Sequence, residues 1–210
     1  MPEHKTLLVG LAGGTASGKT TIARNLMESW PGLLSIAHDR YYHTVPDPTR
    51  HNYDHPSALD SALLCDNLDR LLAGEPAALP CYDFATHTRL ERSEQVAPAQ
   101  VVLVEGILVL ADPRLSKRFH LKVYVHAPDD VRLLRRIRRD AVERARSVAS
   151  VLHQYETTVR PMHLEYVAPC WERADLVLDG EAPVLDETQR LAQAIHAQLD
   201  GQPIKATSSR

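Results

Sequence analysis

The sequence predicts an α/β fold of three layers, a five-stranded parallel sheet with helices on both faces, and three observations predict it. Five short apolar runs, at 6–11, 33–37, 101–105, 121–125 and 175–178, read as strands buried on both sides. Helical patterns lie between most of them, the alternation of parallel strands joined by helical crossovers. The first run also leads directly into the glycine-rich GGTASGKT of residues 13–20, and a helix pattern follows at once.

The elements follow in order. The first helix is expected over 19–29. Ser57 is expected to cap a second over 58–73, with Asp60 three residues on and Gly74 as its stop. A third covers about 129–144, and a fourth 148–166, kinked near Pro161. The last covers 187–199, before a polar tail at 201–210 that is expected to be disordered. One long insertion breaks the alternation between the second and third strands. It holds the proline-rich PDPTR and LPCYDFATHTRLERSEQVAP, which reads as short strands or loops rather than helix. Ordered connections of that length usually carry function.

Composition narrows the function classes. A chain of 210 residues, 44% hydrophobic and 24% charged, suits one globular domain, or one with a lid. A formal charge of −3 argues against a general binder of nucleic acid or membrane surfaces. No apolar run approaches the roughly 20 residues that span a bilayer. The start, MPEHK, lacks the apolar region of a signal peptide. Cys65, Cys81 and Cys170 are odd in number and widely spaced, which argues against a disulfide framework or zinc site and for a reducing cytoplasm.

GGTASGKT fits G-x-x-x-x-G-K-[ST] with a strand before it and a helix after it, so the fold is that of a P-loop NTPase. Gly13, Gly14 and Gly18 let successive N–H groups of Gly13 to Thr21 (Thr15, Ala16 and Ser17 among them) turn toward an anion. The helix N-terminus adds partial positive charge. Lys19 would reach the β- and γ-phosphates, and the Thr20 hydroxyl would ligate Mg²⁺. Glu105 ends a buried strand at the sheet edge where such folds bind ligands, and a second acidic group is needed there for the metal. Asp39, at the end of SIAHDRYY, shares that edge. A carboxylate beside a γ-phosphate can accept the proton of an attacking hydroxyl.

AGGTASGKTT, HDRYY, NYDHPSALD, YDFATHTR, EGILVL and RRIRRDAVERAR occur in this order, from about residue 7 to 175. Together they closely resemble the uridine kinase (uridine–cytidine kinase) family of P-loop kinases. NYDHP and YDFxxHxR are much more specific than the phosphate loop. The resemblance implies that Asp39 is the general base for a ribose 5′-hydroxyl and that Tyr42 lies by the nucleoside. It implies that Tyr53 walls the site, that Asp54 takes the ribose 2′- and 3′-hydroxyls, and that Tyr82, Phe84 and His87 surround the base. A pyrimidine needs apolar faces with a few edge hydrogen bonds, and a vicinal diol suits a charged acceptor. Neutral imidazole donates or accepts according to its tautomer, and the Tyr82 hydroxyl does both, so uridine and cytidine are both expected as substrates.

Residues 129–146 hold seven arginines against four acids. On a helix, Leu134, Ile137, Ala141 and Ala145 form an apolar stripe, while Arg132, Arg136, Arg139 and Arg146 lie on a different face. The plain reading is a solvated helix with ion pairs such as Arg139 with Glu143. A nucleic-acid reading fails on the shortness of the run and its lack of aromatics. The resemblance implies a lid over the phosphates at about 135–150. Arg136 and Arg139 would be catalytic, and Arg136, Arg144, Arg146 and Gln154 would contact substrate. Residues 1–200 would then form one kinase domain, with a nucleoside-binding insertion at about 40–100.

The chain departs from the family pattern at three places: a short loop before NYDHP, Ala145 in place of a lid glycine, and PCWERADLVLDG near the C-terminus. There Trp171 stands for a lysine and Asp179 lies in the region of an arginine, near the nucleotide base, so the donor is ATP or GTP. His51 and His55 have metal-like i,i+4 spacing, but Pro56 disfavours helix at His55 and no third ligand is evident. Rivals are phosphorylation of another small alcohol, as in phosphoribulokinase or pantothenate kinase relatives, and a nucleotide-binding regulatory protein. NYDHP and YDFxxHxR oppose the first, and intact Lys19, Thr20, Asp39 and Glu105 oppose the second. A small-molecule nucleoside is the expected partner, with no nucleic acid and no membrane. The resemblance also implies a homotetramer and feedback inhibition by CTP or UTP.

Overall fold

The computed structural model describes residues 6–48 and 50–202. MPEHK and residues 203–210 of the expected tail lie outside the described residues.

Five strands form the parallel sheet: β1 (Leu7–Gly13), β2 (Leu34–Ala37), β5 (Val101–Glu105), β6 (Leu121–His126) and β7 (Leu176–Asp179), in the order β2-β5-β1-β6-β7. The register pairs Leu11 with Glu105, Ala37 with Glu105 and Gly13 with Val125, so the strands deliver their C-terminal ends to one edge. Alternate residues of β1 serve opposite cores. Val9 and Leu11 pack with Ile22 and Leu26 of α1 (Lys19–Ser29) and Leu191 and Ile195 of α7 (Val184–Leu199). Leu8 and Ala12 pack on the other face with Leu64 and Leu68 of α2 (Ser61–Leu72). The polar floor of the site therefore rests on two apolar layers.

The second helix starts later than its sequence suggests. A short 3₁₀ turn covers Pro56–Ala58, and Leu59 is extended (φ −113°, ψ 137°) because it bridges to Tyr42. His43 N–H donates to Ala58 O at 3.0 Å and Asp60 N–H to Tyr41 O at 2.8 Å. Asp60, not Ser57, is the cap, its Oδ1 accepting from Leu63 N–H at 3.1 Å.

The insertion forms an antiparallel hairpin of β3 (Ala77–Asp83) and β4 (Thr88–Val96). Arg89 locks it to the body through Asp60 (3.0 Å) and Tyr41 O (2.7 Å), and Arg40 reaches Pro80 O and Glu94. A short α3 (Pro113–Ser116), unforeseen in the sequence, is capped by Asp112.

The arginine helix α4 (Asp129–Glu143) inverts the expected amphipathicity. Arg132, Arg136 and Asp140 are buried, whereas Leu134 is 54% and Val142 85% exposed. The helix leaves β6 above the phosphate loop, so its inner face meets polar groups rather than an apolar layer. Arg139 accordingly pairs with Asp140 instead of the expected Glu143.

The next helical path runs from α5 (Val148–Gln154) through a π turn at Tyr155–Val159, α6 (Arg160–Met162), a π turn at His163–Val167 and a 3₁₀ end at Ala168–Arg173. The wide turns flank Pro161, which lacks the N–H of a regular helical bond. Among the described residues, no helix is long and apolar enough to cross a membrane.

Candidate active site

The phosphate loop joins β1 to α1. Gly18 takes φ 107°, a region open to glycine at little cost, and begins α1 with its N–H groups free for an anion. Gly14 serves close approach: a Cβ there would lie 2.7 Å from Arg132 Cζ. Arg132 is held by Ala127 O (3.1 Å), Asp129 and His163 Nε2 (3.0 Å). Arginine has no acceptor, so His163 Nε2 accepts; burial and then Arg132 lower its pKa to about 4.

Thr20 Oγ1 donates to Glu105 Oε2 at 3.3 Å, bringing two hard oxygen ligands to one place. Burial raises the Glu105 pKa, opposed chiefly by Lys19, so a cation beside it would be welcome. No group of three His, Cys, Asp or Glu among the described residues forms a metal cage. Two oxygens fit Mg²⁺ that carries its remaining ligands as phosphate and water.

Asp39 follows β2 at the same edge. Burial raises its pKa, and Lys19, Arg144 and Arg139 draw it back. It acts electrostatically on Tyr42, Asp54 and Glu105 in turn. Asp54 is itself buried, its pKa raised by burial and lowered foremost by Arg136.

The expected nucleoside residues gather here. Tyr42 donates to Tyr53 O at 3.1 Å, and its ring lies 5.2 Å from that of Tyr53 and 5.7 Å from that of Tyr82. His87 lies 5.1 Å from Tyr53 with its plane tilted by 31°, and Phe84 meets Tyr82 at 5.1 Å on the exposed rim. The hairpin supplies Tyr82, Phe84 and His87, whereas Tyr42 and Tyr53 come from the loops after β2.

The arginines of the expected lid line the other side. Arg136 Nη1 donates to Thr15 Oγ1 at 3.0 Å, and its Nη2 to Gln154 Oε1 at 2.8 Å. The same Gln154 oxygen accepts from Arg146 Nη1 at 2.7 Å, which ties Gln154 to the lid. Arg139 and Arg144 gather on Asp140 with Arg136 and Arg146. Asp140 and Arg132 are the residues that sequence reasoning missed in these roles; in RRIRRD an acid among arginines looks like a surface ion pair.

The remaining sequence leads resolve locally. His55 Nδ1 accepts from Ser57 N–H and its Nε2 meets the Tyr166 hydroxyl, which gives both nitrogens a structural use. Trp171 stacks edge-on against His126 and lines a cleft of about 400 Å³ with Gly14, Arg132 and His163. Asp179 instead shapes the turn after β7, where Arg135 Nη1 donates to Gly180 O at 2.8 Å.

A site that can hold phosphates against a helix N-terminus and face them with a partly buried carboxylate and converging arginines is that of a P-loop kinase. Residues 8–183 match the model of the Phosphoribulokinase / Uridine kinase family, and the chain belongs to that family. It is 46% identical over 185 residues to a uridine kinase of Chloroflexus aggregans, covering 85% of this chain and 88% of that one. It is 40% identical over 181 residues to a uridine kinase of Streptococcus equi subsp. zooepidemicus, with coverages of 83% and 87%. Among solved structures, phosphoribulokinase from Rhodobacter spheroides aligns with a TM-score of 0.63 at 10% identity, over 84% of this chain and 71% of that one. That likeness concerns the fold.

Proposed function

We propose that the chain transfers the γ-phosphate of ATP to the 5′-hydroxyl of uridine and cytidine, giving UMP and CMP. One observation carries this reading. Asp39 interacts electrostatically with Lys19 of the phosphate loop, with Arg139 and Arg144 of the lid, and with Tyr42 and Asp54 of the aromatic pocket. It is a base set between donor and acceptor. The names of the similar chains, uridine kinases, support the choice of acceptor.

Asp39 would take the proton of the 5′-hydroxyl as the new O–P bond forms. Asp54 would accept from the ribose hydroxyls, while Tyr42, Tyr53, Tyr82 and Phe84 flank the base and His87 reads its edge. Lys19 and the loop amides would hold the β- and γ-phosphates. Thr20 and Glu105 would hold Mg²⁺, which when bound neutralises phosphate charge. Arg136, Arg139, Arg144 and Arg146 would stabilise charge on the phosphoryl in flight and exclude water. Three free thiols suit a cytoplasmic enzyme, and the family resemblance suggests a homotetramer.

The test is ADP release with ATP or GTP as donor and uridine, cytidine, deoxynucleosides, ribulose 5-phosphate or pantothenate as acceptor. Uridine and cytidine should stimulate release strongly. Stimulation by another acceptor alone would overturn the reading.

A further inference from the structure

Asp140 is fully buried, at 0% exposure, in the last turn of α4, and its neighbours on that face are arginines. Its oxygens lie 2.8 Å from Arg139 Nη2, 3.5 Å from Arg144 Nη1, 3.7 Å from Arg146 Nη1 and 3.7 Å from Arg136 Nε. Only Arg139 closes to hydrogen-bond distance, its Nε also donating to Oδ1 at 2.9 Å. The Asp140 Oδ2 and Arg136 Nε atoms that face each other at 3.7 Å are both buried and make no hydrogen bond. Four guanidinium groups brought this close repel one another, and the buried anion offsets that repulsion. Thr15 Oγ1 and Gln154 Oε1 take donors of Arg136 and Arg146, whereas the contacts of Arg136, Arg144 and Arg146 to Asp140 stop short of hydrogen bonding, so the anion gathers these arginines without saturating their donors. A phosphate entering over Thr15 can take them with a small displacement. Asp140 touches neither solvent nor any surface a substrate could reach, so it can act only through its neighbours.

We propose that Asp140 is the positioning residue of the lid, a buried stand-in for the absent phosphate charge that holds Arg136, Arg139, Arg144 and Arg146 in their working arrangement before the donor binds. The inference rests on the reading of those arginines as the groups that stabilise the transferring phosphoryl. A guanidinium displaced by about 1 Å costs on the order of 10²-fold in rate. The expected signature is therefore a loss in turnover rather than in nucleoside binding.

Asp140→Asn keeps the shape and the oxygen that Arg139 uses, but turns an amide donor toward Arg136 and Arg146. Its kcat for uridine should fall about 10- to 100-fold. The uridine Kd by calorimetry at pH 8, where the Arg136–Asp54 coupling weighs least, should change far less than kcat, and ATP hydrolysed without uridine should rise relative to transfer. Asp140→Glu restores the charge at a shifted point, and its kcat should lie between those of the Asn variant and the parent. Arg139→Ala tests the underlying lid reading separately. If it leaves kcat unchanged, the lid reading fails. If it lowers kcat while Asp140→Asn does not, the Asp140 proposal alone fails. Glu behaving no better than Asn, or both variants losing uridine binding at pH 8 as much as they lose kcat, would make Asp140 a folding residue and overturn the proposal as well.

Discussion

Arg136 donates a 3.0 Å hydrogen bond to the Thr15 hydroxyl, joining α4 directly to the phosphate loop. Arg136 is also the largest charge that lowers the pKa of buried Asp54. Removing it should therefore affect both substrates. Arg136→Ala should lower kcat by about 10²- to 10³-fold, the loss typical of one transition-state donor. It should also raise the Asp54 pKa further, so that KM for uridine worsens more at pH 6 than at pH 8. Steady-state kinetics at the two pH values check this, and a pH-independent KM would disconnect Arg136 from Asp54.

Asp39→Asn should reduce transfer by about 10²- to 10⁴-fold, the range of a general base, with donor binding largely kept. In the parent protein, burial raises the Asp39 pKa from its ordinary value, against the pull of Lys19, Arg144 and Arg139. A base works when ionised, so kcat should rise with pH through an inflection above about 3.9, the free aspartate value. Profiles of kcat against pH for parent and variant measure the inflection, and substantial residual turnover in Asp39→Asn would remove Asp39 as the base.

The same burial has a cost in the nucleotide-free protein. A raised pKa means that the folded state holds its proton more tightly than the unfolded state does. The stabilisation is fully present below the unfolded pKa and is lost as pH rises through the folded one. Asp39→Asn removes the cost of ionisation, so its Tm should exceed the parent's at pH 8, and the gain should shrink as pH falls. Each kcal/mol relieved corresponds to about 2–4 °C for a domain of this size. Calorimetry of both proteins at pH 5 and pH 8 reads Asp39 together with Asp54 and Glu105, which it couples to, because carboxylates remote from it cancel in the difference.

Much of this architecture is legible in the chain because its causes are local. Apolar runs mark the sheet, and the phosphate loop is a contiguous motif in which glycine, lysine and threonine each have one use. What escaped depends on distant partners. Leu59 is extended because Tyr42 pairs with it, which moves the cap from Ser57 to Asp60. The arginine face of α4 turns inward because a phosphate loop lies beneath it, a fact no helical periodicity contains. Asp140 matters through Arg139, Arg144 and Arg146, whose spacing along the chain suits a surface ion pair equally well. The motif NYDHP predicts an aromatic wall but not that His55 ties it to Tyr166.

Ala145 sits in the left-handed region at φ 49°, at the turn between Arg144 and Arg146 where the family pattern carries glycine. A Cβ in that region costs about 1–2 kcal/mol, partly offset by the greater freedom glycine has in the unfolded chain. Ala145→Gly should raise Tm by about 2–4 °C per kcal/mol of net relief. It should leave uridine binding unchanged, since the aromatic pocket lies elsewhere. Thermal melts and calorimetric titration check both; a lower Tm would mean that the Cβ makes a compensating contact.

In the proposed function His87 is the hairpin group that reads a base edge; its ring lies 5.1 Å from Tyr53 and its backbone at φ 54°. Uracil offers a donor at N3 and an acceptor at O4, whereas cytosine reverses both. A neutral imidazole serves either base by changing tautomer, which a fixed donor cannot do. His87→Leu keeps an apolar surface against Tyr53 and removes the hydrogen bond. Its kcat/KM should fall by at least about 10-fold for both nucleosides, the cost of leaving a desolvated polar edge unpaired. Parallel ADP-release assays with uridine and cytidine decide the point: equal losses support the tautomer argument, a loss for one nucleoside alone assigns His87 a single fixed role, and unchanged kinetics take it out of the site.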